Sequence, residues 1–435
     1  GNDLSLTAKG TSFPDGRLTL EDFALATNAR SLGGAVAIGA DSLPTSFDIS
    51  GVLANISGTP TLLPIAGDKQ YVQRAEISAQ YNALKGDTWT ATAHVLDYAQ
   101  EDISVGDVSL DASGTISRRP DPQGSTLLRA FDANLKIIAD EINLDDAALM
   151  STVGPNVSAQ TKLSWRDGSP LVLEAVSIDA GDASMTADGT LSGLDSGFTF
   201  KGNLGVDAAR LSRFAAITGL SLQGSLSGGA SGSFTPLGGR FDAEITAKAQ
   251  NARIGIPKVD ALLTGQSQVS LHAQRDEKGL SLESFDVETS AVTAQGSGIL
   301  TSTTADLNLT ARLDDVARFD AGLSGPLTTV ARLSKEMQNG PWQTSATMTG
   351  PGGSTARLSG DIAQSFDSAA LQVSGSAPLG LANSFTTATL LQGIADFDLR
   401  LNGPLALSSL AGTVSARTGA RAVLPAAGLS LTFDQ

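Results

Sequence analysis

The sequence predicts an all-β protein: an elongated, curved antiparallel sheet with a few short helices, forming an open, taco-like groove from irregular repeats. Apolar and polar residues alternate with a period of two, for example at 304–313 and 396–401, as in half-buried strands. Turn signals such as Asp188-Gly189 and Asn402-Gly403-Pro404 recur about every 8 to 12 residues. Long helical segments, which βαβ units require, are absent, and this favours an antiparallel meander.

The composition favours an open sheet over a thick core. Among 435 residues, apolar residues make up 41%, but aromatic residues only 5%, while glycine occurs 47 times. Aromatic side chains supply much of the area that a compact core buries. The chain is nevertheless too apolar to be disordered. We therefore expect a sheet that leaves part of its apolar surface uncovered.

Charge and residue usage exclude several functions. The net charge of −16 argues against a nucleic-acid partner. There is no cysteine, and only His94 and His272 are available to a zinc site or a Ser-His-Asp triad. Both histidines lie in strand patterns and are interpreted as exposed strand residues. The carboxylate pairs Asp145-Asp146 and Asp314-Asp315 are interpreted as helix caps. We expect no catalytic residue, no metal site and no cofactor, so the chain is not predicted to be an enzyme.

An eight-residue element with apolar residues at positions 1, 3, 6 and 8 occurs three times, at 18–25, 171–178 and 280–287. The apolar residues are two positions apart except between positions 3 and 6, which are three apart. A regular strand would therefore not place all four apolar residues on one face. One extra residue near the glutamate at position 4 would return all four apolar side chains to the same face, and a β-bulge supplies such a residue. Each copy is therefore predicted to be a strand that bends at the same place.

A second element is a strand that leads into a short helix, at 144–150, 206–211 and 313–318. An aspartate at the start of each helix can accept hydrogen bonds from first-turn N–H groups, and a following glycine can end the helix. The predicted N-caps are Asp145, Asp207 and Asp314, and the predicted ends are Gly154, Gly219 and Gly322.

The aliphatic face of such a sheet must be covered by something. A second sheet would usually cover it. Small aliphatic residues and bent strands instead favour a groove that stays open, and an apolar groove is an interaction site whose natural ligand is a lipid acyl chain. The predicted lining is Leu18, Leu20, Phe23, Leu25, Leu171, Leu173, Val176, Ile178, Leu280, Leu282, Phe285, Val287, Phe397, Leu399 and Leu401.

These motifs resemble the AsmA-like family of bridge-like lipid transfer proteins of Gram-negative bacteria. The resemblance includes the eight-residue element, the Leu-Asp-Asp-Ala sequence at 144–147 and the L-x-G-x-L strand at 222–226. The segments 375–383, 396–405 and 410–415 resemble the translocation and assembly module branch of that family.

The resemblance implies a periplasmic protein, anchored in the inner membrane by a part outside this segment. It implies a conduit for phospholipids between the inner and outer membranes and an outer-membrane barrel partner of the Omp85 type. The alternative is a scaffold for assembly of outer-membrane β-barrel proteins through exposed strand edges. A surface adhesin or a β-helical polysaccharide enzyme would need an acidic cleft or an aromatic platform, and the sequence shows neither.

The domain prediction is one continuous groove over 1–435, as a fragment of a longer chain. Boundaries inside it are placed near 118–124, which contains prolines, and near 228–239, which is rich in glycine.

Overall fold

The computed structural model describes residues 5–26, 31–54, 58–63, 68–120, 127–193, 197–318, 321–336, 340–385, 389–404, 406, 409–424 and 429–433. The chain divides into two compact units, Gly1–Ser233 (unit 1) and Phe234–Gln435 (unit 2). The division falls within 228–239, where the structure has a strand up to residue 235. In the other predicted boundary segment, residues 118–120 end a strand and residues 121–124 lie outside the described residues.

Unit 1 is an antiparallel meander. Its strands are β1 (Ser5–Ser12), β2 (Leu18–Ala26), β3 (Ser31–Ile38), β4 (Pro44–Ala54), β5 (Thr61–Leu62), β6 (Tyr71–Val72), β7 (Arg74–Asn82), β8 (Thr88–Gln100), β9 (Ile103–Pro120), β10 (Leu127–Leu144), β11 (Val157–Arg166), β12 (Leu171–Ala180), β13 (Ala183–Ser192) and β14 (Thr199–Ala208). Strands adjacent in sequence pair with each other, except that β4 pairs with β7 and the β5–β6 hairpin joins β8 through Tyr71. Strand β15 (Gln223–Thr235) spans the division between the units.

Unit 2 has the same organisation. Its strands are β16 (Arg240–Arg253), β17 (Gln266–Arg275), β18 (Leu280–Thr289), β19 (Val292–Leu300), β20 (Ala305–Leu313), β21 (Leu327–Lys335), β22 (Trp342–Thr349), β23 (Thr355–Ile362), β24 (Ser368–Pro378), β25 (Leu390–Gln392), β26 (Ile394–Pro404), β27 (Leu410–Ala416), β28 (Ala420–Leu424) and β29 (Leu429–Phe433). Strands β16 to β24 pair in order, β26 and β27 continue the sheet, and β25, β28 and β29 form a small separate sheet.

Helices are few and short. They are α1 (Ala147–Val153), α2 (Ala215–Thr218) and α3 (Pro257–Asp260), with 3-10 turns at Leu211–Phe214, Pro236–Gly238, Val316–Arg318, Pro351–Gly353 and Leu379–Phe385. Among the described residues, no pairing joins the first strand of either unit to its last, so neither sheet closes on itself. The predicted all-β, antiparallel fold class is confirmed, with 69% strand and 9% helix.

The three predicted bulges are confirmed. In each copy the glutamate is the extra residue: Lys9 and Gly10 of β1 pair with Asp22 and Leu20 of β2, which leaves Glu21 without a partner residue in the register. The same shift occurs around Glu174 of β12 and Glu283 of β18. The bulge places the four apolar positions of each element on one face of the sheet.

The predicted helix caps are shifted by one residue or wrong. Asp146, not Asp145, caps α1, because its side chain accepts from the N–H groups of Ala148 and Leu149. Asp315, not Asp314, accepts from Ala317 and thus caps the turn at Val316–Arg318. Asp207 lies inside β14 and caps nothing.

The helix ends are closer to expectation. Gly154 follows α1 and Gly219 follows α2, both with positive φ, as predicted. Gly322 lies in a turn at 321–322, after the 3-10 turn that ends at Arg318.

Two predicted turns are wrong. Asp188-Gly189 lies inside β13, where Gly189 pairs with Leu173 and Gly202. Asn402-Gly403-Pro404 forms the end of β26 rather than a separate turn. At Gly189 a Cβ would lie 2.4 Å from the carbonyl oxygen of Lys201. This glycine therefore permits close approach of neighbouring strands and does not reverse the chain.

Candidate functional site

The most extensive feature of unit 2 is an apolar face. The register places three neighbouring rows of residues on it, each crossing β18 to β24, β26 and β27. No row contains a charged residue. The rows are Leu282, Gly298, Leu307, Leu333, Thr344, Gly360, Leu371, Leu401 and Leu410; Phe285, Gly296, Leu309, Ala331, Ala346, Leu358, Val373, Leu399 and Gly412; and Val287, Ala294, Ala311, Thr329, Met348, Ala356, Gly375, Phe397 and Val414.

Unit 1 has an equivalent apolar face. Two rows cross all strands from β2 to β14 except β5 and β6, without a charged residue. They are Phe23, Gly34, Ile49, Ala79, Ala91, Ala112, Leu135, Thr161, Val176, Ala187 and Leu204; and Leu25, Leu32, Gly51, Ile77, Ala93, Leu110, Ile137, Ala159, Ile178, Met185 and Val206.

The residues predicted to line a groove all lie on these two faces. The bulge places Leu20 opposite Val36 and Phe23 opposite Gly34, so both side chains point the same way despite their odd spacing. Leu171 and Leu280, the first residues of the later copies, pair with Leu191 and Leu300 on the same faces. The fifteen predicted residues thus form two sets, one in each unit.

The apolar faces remain accessible to solvent. Phe285, Leu358 and Leu399, at the centre of unit 2, are only half-buried. Leu309 in unit 2 is 36% exposed and Leu204 in unit 1 is 37% exposed. A second layer packed on these rows would bury such residues almost completely, so each face is an uncovered apolar surface of the kind that marks an interaction site.

The opposite face of unit 2 is polar and carries ion pairs. One row contains Ser297, Asn308, Arg332, Ser345, Ser359, Gln372 and Arg400. Arg332 donates two hydrogen bonds to Asp306, at 2.6 and 2.8 Å, and this contact lowers the pKa of the aspartate. Arg417 likewise donates two hydrogen bonds to Asp396 and lowers the pKa of this aspartate. Such exposed pairs suit a surface that stays in water.

Each unit also has a hollow across its central strands. In unit 2 a cavity of about 860 Å³ spans β18 to β24 and is lined by Asn308, Arg332, Arg357 and Gln372 among others. In unit 1 a cavity of about 550 Å³ is lined by residues that include Asp111 and Lys136. The linings also include members of the apolar rows, such as Leu309 and Leu358 in unit 2 and Leu135 in unit 1, so both polar and apolar groups border each hollow.

One part of the apolar face in unit 1 is filled by aromatic side chains. The rings of Trp89 and Phe131 stack across β9, with centroids 5.8 Å apart and an angle of 9° between their planes. Tyr81 is buried beside them and donates a hydrogen bond to the carbonyl oxygen of Ile116. The rings of Trp89 and Phe131 meet over Gly114 of β9, which has no side chain to separate them.

An ion-pair network holds the β3–β4 loop over this aromatic cluster. Asp41 in the loop accepts from Arg118 of β9 at 2.5 and 3.2 Å, and Arg118 also donates to the carbonyl oxygens of Leu43 and Pro44. Arg129 of β10 donates to the carbonyl oxygen of Asp41 at 2.6 Å. The hydrogen bonds from Arg118 keep the pKa of Asp41 below its ordinary value. We call this network the Asp41 latch.

The two histidines lie on polar faces, as predicted. His94 contacts both oxygens of Asp107 at 2.9 Å, and His272 contacts Asp242 at 2.9 Å. Among the described residues, no group of three or more His, Asp or Glu side chains is placed to hold a metal ion. Within the same residues, no helix is long and apolar enough to span a membrane.

Comparison with known proteins finds no matching family model, curated protein or solved structure. The apolar rows and the latch are therefore the basis for any functional conclusion. Sequence reasoning missed the Asp41 latch, because its partners are separated by about 77 and 88 positions in the chain. It also missed the cations that lie opposite the bulges, although Lys9 and Lys162 precede their glutamates at the same spacing of 12 residues.

Proposed function

We propose that the chain binds lipid acyl chains on the apolar faces of its two sheets. The observation that carries the proposal is the set of rows without charge that crosses strand after strand while remaining open to solvent. Burial of a methylene group contributes about 0.8 kcal/mol. An acyl chain that lies along a row therefore gains enough free energy to be held without a specific polar contact.

The dimensions suit a chain that slides. Neighbouring strands are about 4.8 Å apart, so the nine strands of a row in unit 2 extend on the order of 40 Å along the sheet. One leaflet of a bilayer has a hydrocarbon thickness of about 15 Å, half of the whole core. A row therefore has room for more than one acyl chain end to end. Since small and branched aliphatic residues follow each other along it, successive positions differ little in free energy.

In the full-length protein, this binding would serve transfer of phospholipids between inner and outer membranes across the periplasm. The resemblance of residues 375–383 and 396–405 to translocation and assembly module proteins supports that proposal. It also supports an inner-membrane anchor and an outer-membrane barrel partner of the Omp85 type, both engaged through parts outside this segment.

The test is the amount of phospholipid that co-purifies with the chain, measured by mass spectrometry. Leu282→Lys and Leu399→Lys each place a charge in a central row of unit 2 and remove several methylene contacts. We expect each substitution to lower bound lipid by about tenfold, since 1.4 kcal/mol changes an equilibrium tenfold.

The matched control is Thr347→Lys, at an exposed position on the polar face of β22. It adds the same charge and should leave bound lipid unchanged. Absence of lipid from the unsubstituted chain, or an equal loss in all three variants, would contradict the proposal.

A further inference from the structure

The three bulges have a basic residue at the same place in the register. In each copy the extra residue is a glutamate. The residue directly after this glutamate pairs with a basic residue of the preceding strand. These basic residues are Lys9, Lys162 and His272. Lys9 forms an ion pair with Glu21 at 3.1 Å, and Lys162 forms one with Glu174. The third copy thus has an imidazole where the first two have ammonium groups.

Carboxylates surround His272. From β16, Glu244 lies directly opposite it in the register, and Asp242 contacts its Nε2 at 2.9 Å. From β18, Glu283 is the extra residue of the bulge and accepts a hydrogen bond from Ser281. The hydrogen bond to Asp242, with added attraction from Glu244 and Glu283, raises the pKa of His272 above its ordinary 6.5.

We propose that the third bulge is a pH-dependent bend, stabilised by the imidazolium of His272 among Asp242, Glu244 and Glu283, whereas the first two bulges have a lysine at the corresponding position. When His272 is neutral, Asp242 and Glu244 of β16 and Glu283 of β18 lose the imidazolium charge of β17 that lies between them. The neutral ring no longer attracts the carboxylates of its two neighbouring strands, and opposite-charge pairs between strands stabilise their pairing. The inference concerns the shape of the sheet and does not depend on what binds its apolar face.

The direction of the effect follows from linkage. A histidine whose pKa is raised in the folded state contributes stability that is fully present below the unfolded pKa of 6.5. This contribution is lost as pH rises through the folded pKa. Pairing of β17 with β16 and β18 should therefore weaken as pH rises through the folded pKa of His272, which lies above 6.5.

The first experiment is an NMR titration of the whole chain with ¹³C-labelled histidine. The chain has only two histidines, so Gln substitution of either assigns both signals. We expect His272 to titrate above 6.5 and Asp242→Asn to lower its pKa. A pKa for His272 at or below 6.5, or one that Asp242→Asn leaves unchanged, would overturn the proposal.

The second experiment compares thermal unfolding of the wild type and of His272→Lys between pH 5.5 and 8.5. The lysine reproduces the first two copies. The stability of the variant relative to the wild type should increase as pH rises, with the change centred at the titration of His272. A His94→Gln control should follow the pH profile of the wild type. Equal pH profiles for wild type and His272→Lys would show that the bend is not controlled by this residue.

Discussion

A single glycine leaves room for the aromatic stacking on the apolar face of unit 1. Gly114 of β9 lies between Trp89 of β8 and Ala133 of β10 on the apolar face. A Cβ at this position would lie 1.9 Å from the carbonyl oxygen of Asp132 and 2.8 Å from Nε1 of Trp89. The stacking of Trp89 on Phe131 across β9 therefore depends on the absence of a side chain at residue 114.

Substitution of this glycine should be costly. Gly114→Ala forces the strands and the indole apart, and we expect it to lower the free energy of unfolding by about 1–3 kcal/mol, as overpacking usually does. Chemical denaturation measures the effect. The control is Gly380→Ala, where a Cβ would have no neighbouring atom nearer than 3.9 Å. If both variants have the same stability, the close approach at Gly114 is not required.

The Asp41 latch is a second residue-scale device. Asp41→Ala removes the acceptor of Arg118 and leaves a largely buried guanidinium with fewer partners, so we expect a loss of about 1–3 kcal/mol. The pKa of Asp41 is lowered, so its contribution is present above the ordinary value of 3.8 and is lost as pH falls through the folded pKa. Stability curves from pH 3 to pH 7 test both points.

The control for the latch is Asp48→Ala, at an exposed position of β4. It should change stability little at any pH. If Asp41→Ala lowers the stability as much at pH 3 as at pH 7, the carboxylate of Asp41 does not act through its charge.

At the scale of elements, the bulged strand is the feature that the sequence predicted best. The change of parity between Leu173 and Val176 required one extra residue, and the structure has it at Glu174. Helix caps were predicted less well, because either of two adjacent aspartates, such as Asp145 and Asp146, can act as an N-cap. Only the backbone conformation decides which carboxylate reaches the first-turn N–H groups. The Asp188-Gly189 turn was wrong because glycine serves a close approach between strands as readily as a turn.

The extra residue of the bulge should contribute more to the free energy of unfolding than the charge of its side chain does. Deletion of Glu174 removes the extra residue, so Val176 and Ile178 would move to the polar face unless the strand shifts its register. We expect the free energy of unfolding to fall by about 2 kcal/mol, since full burial of one aliphatic side chain contributes about 1.5–3 kcal/mol and both of these are half-buried.

The matched variant is Glu174→Gln, which keeps the residue count and removes only the ion pair with Lys162. It should cost less than about 1 kcal/mol, as exposed pairs usually do. Thermal unfolding of both variants decides the point. Equal losses would mean that the facing of Val176 and Ile178 does not depend on the bulge.

At the scale of the whole molecule, each unit is a sheet with one apolar and one polar face. The sequence predicted the alternation that produces these faces, and the fifteen predicted residues share them. It did not predict that aromatic residues from β7 to β10 fill part of the apolar face of unit 1. The register of β7 to β10, which the sequence does not specify, brings the rings of Tyr81, Trp89 and Phe131 together.

The central claim is that the apolar face, and not the polar face, contacts lipid. A photoreactive amino acid placed at Leu358 or at Ser359, adjacent residues of β23 on opposite faces, tests it most directly. After irradiation of the chain purified with its bound lipid, mass spectrometry should find lipid adducts at position 358 and none at position 359. Equal adducts at both positions, or adducts at 359 alone, would contradict the account.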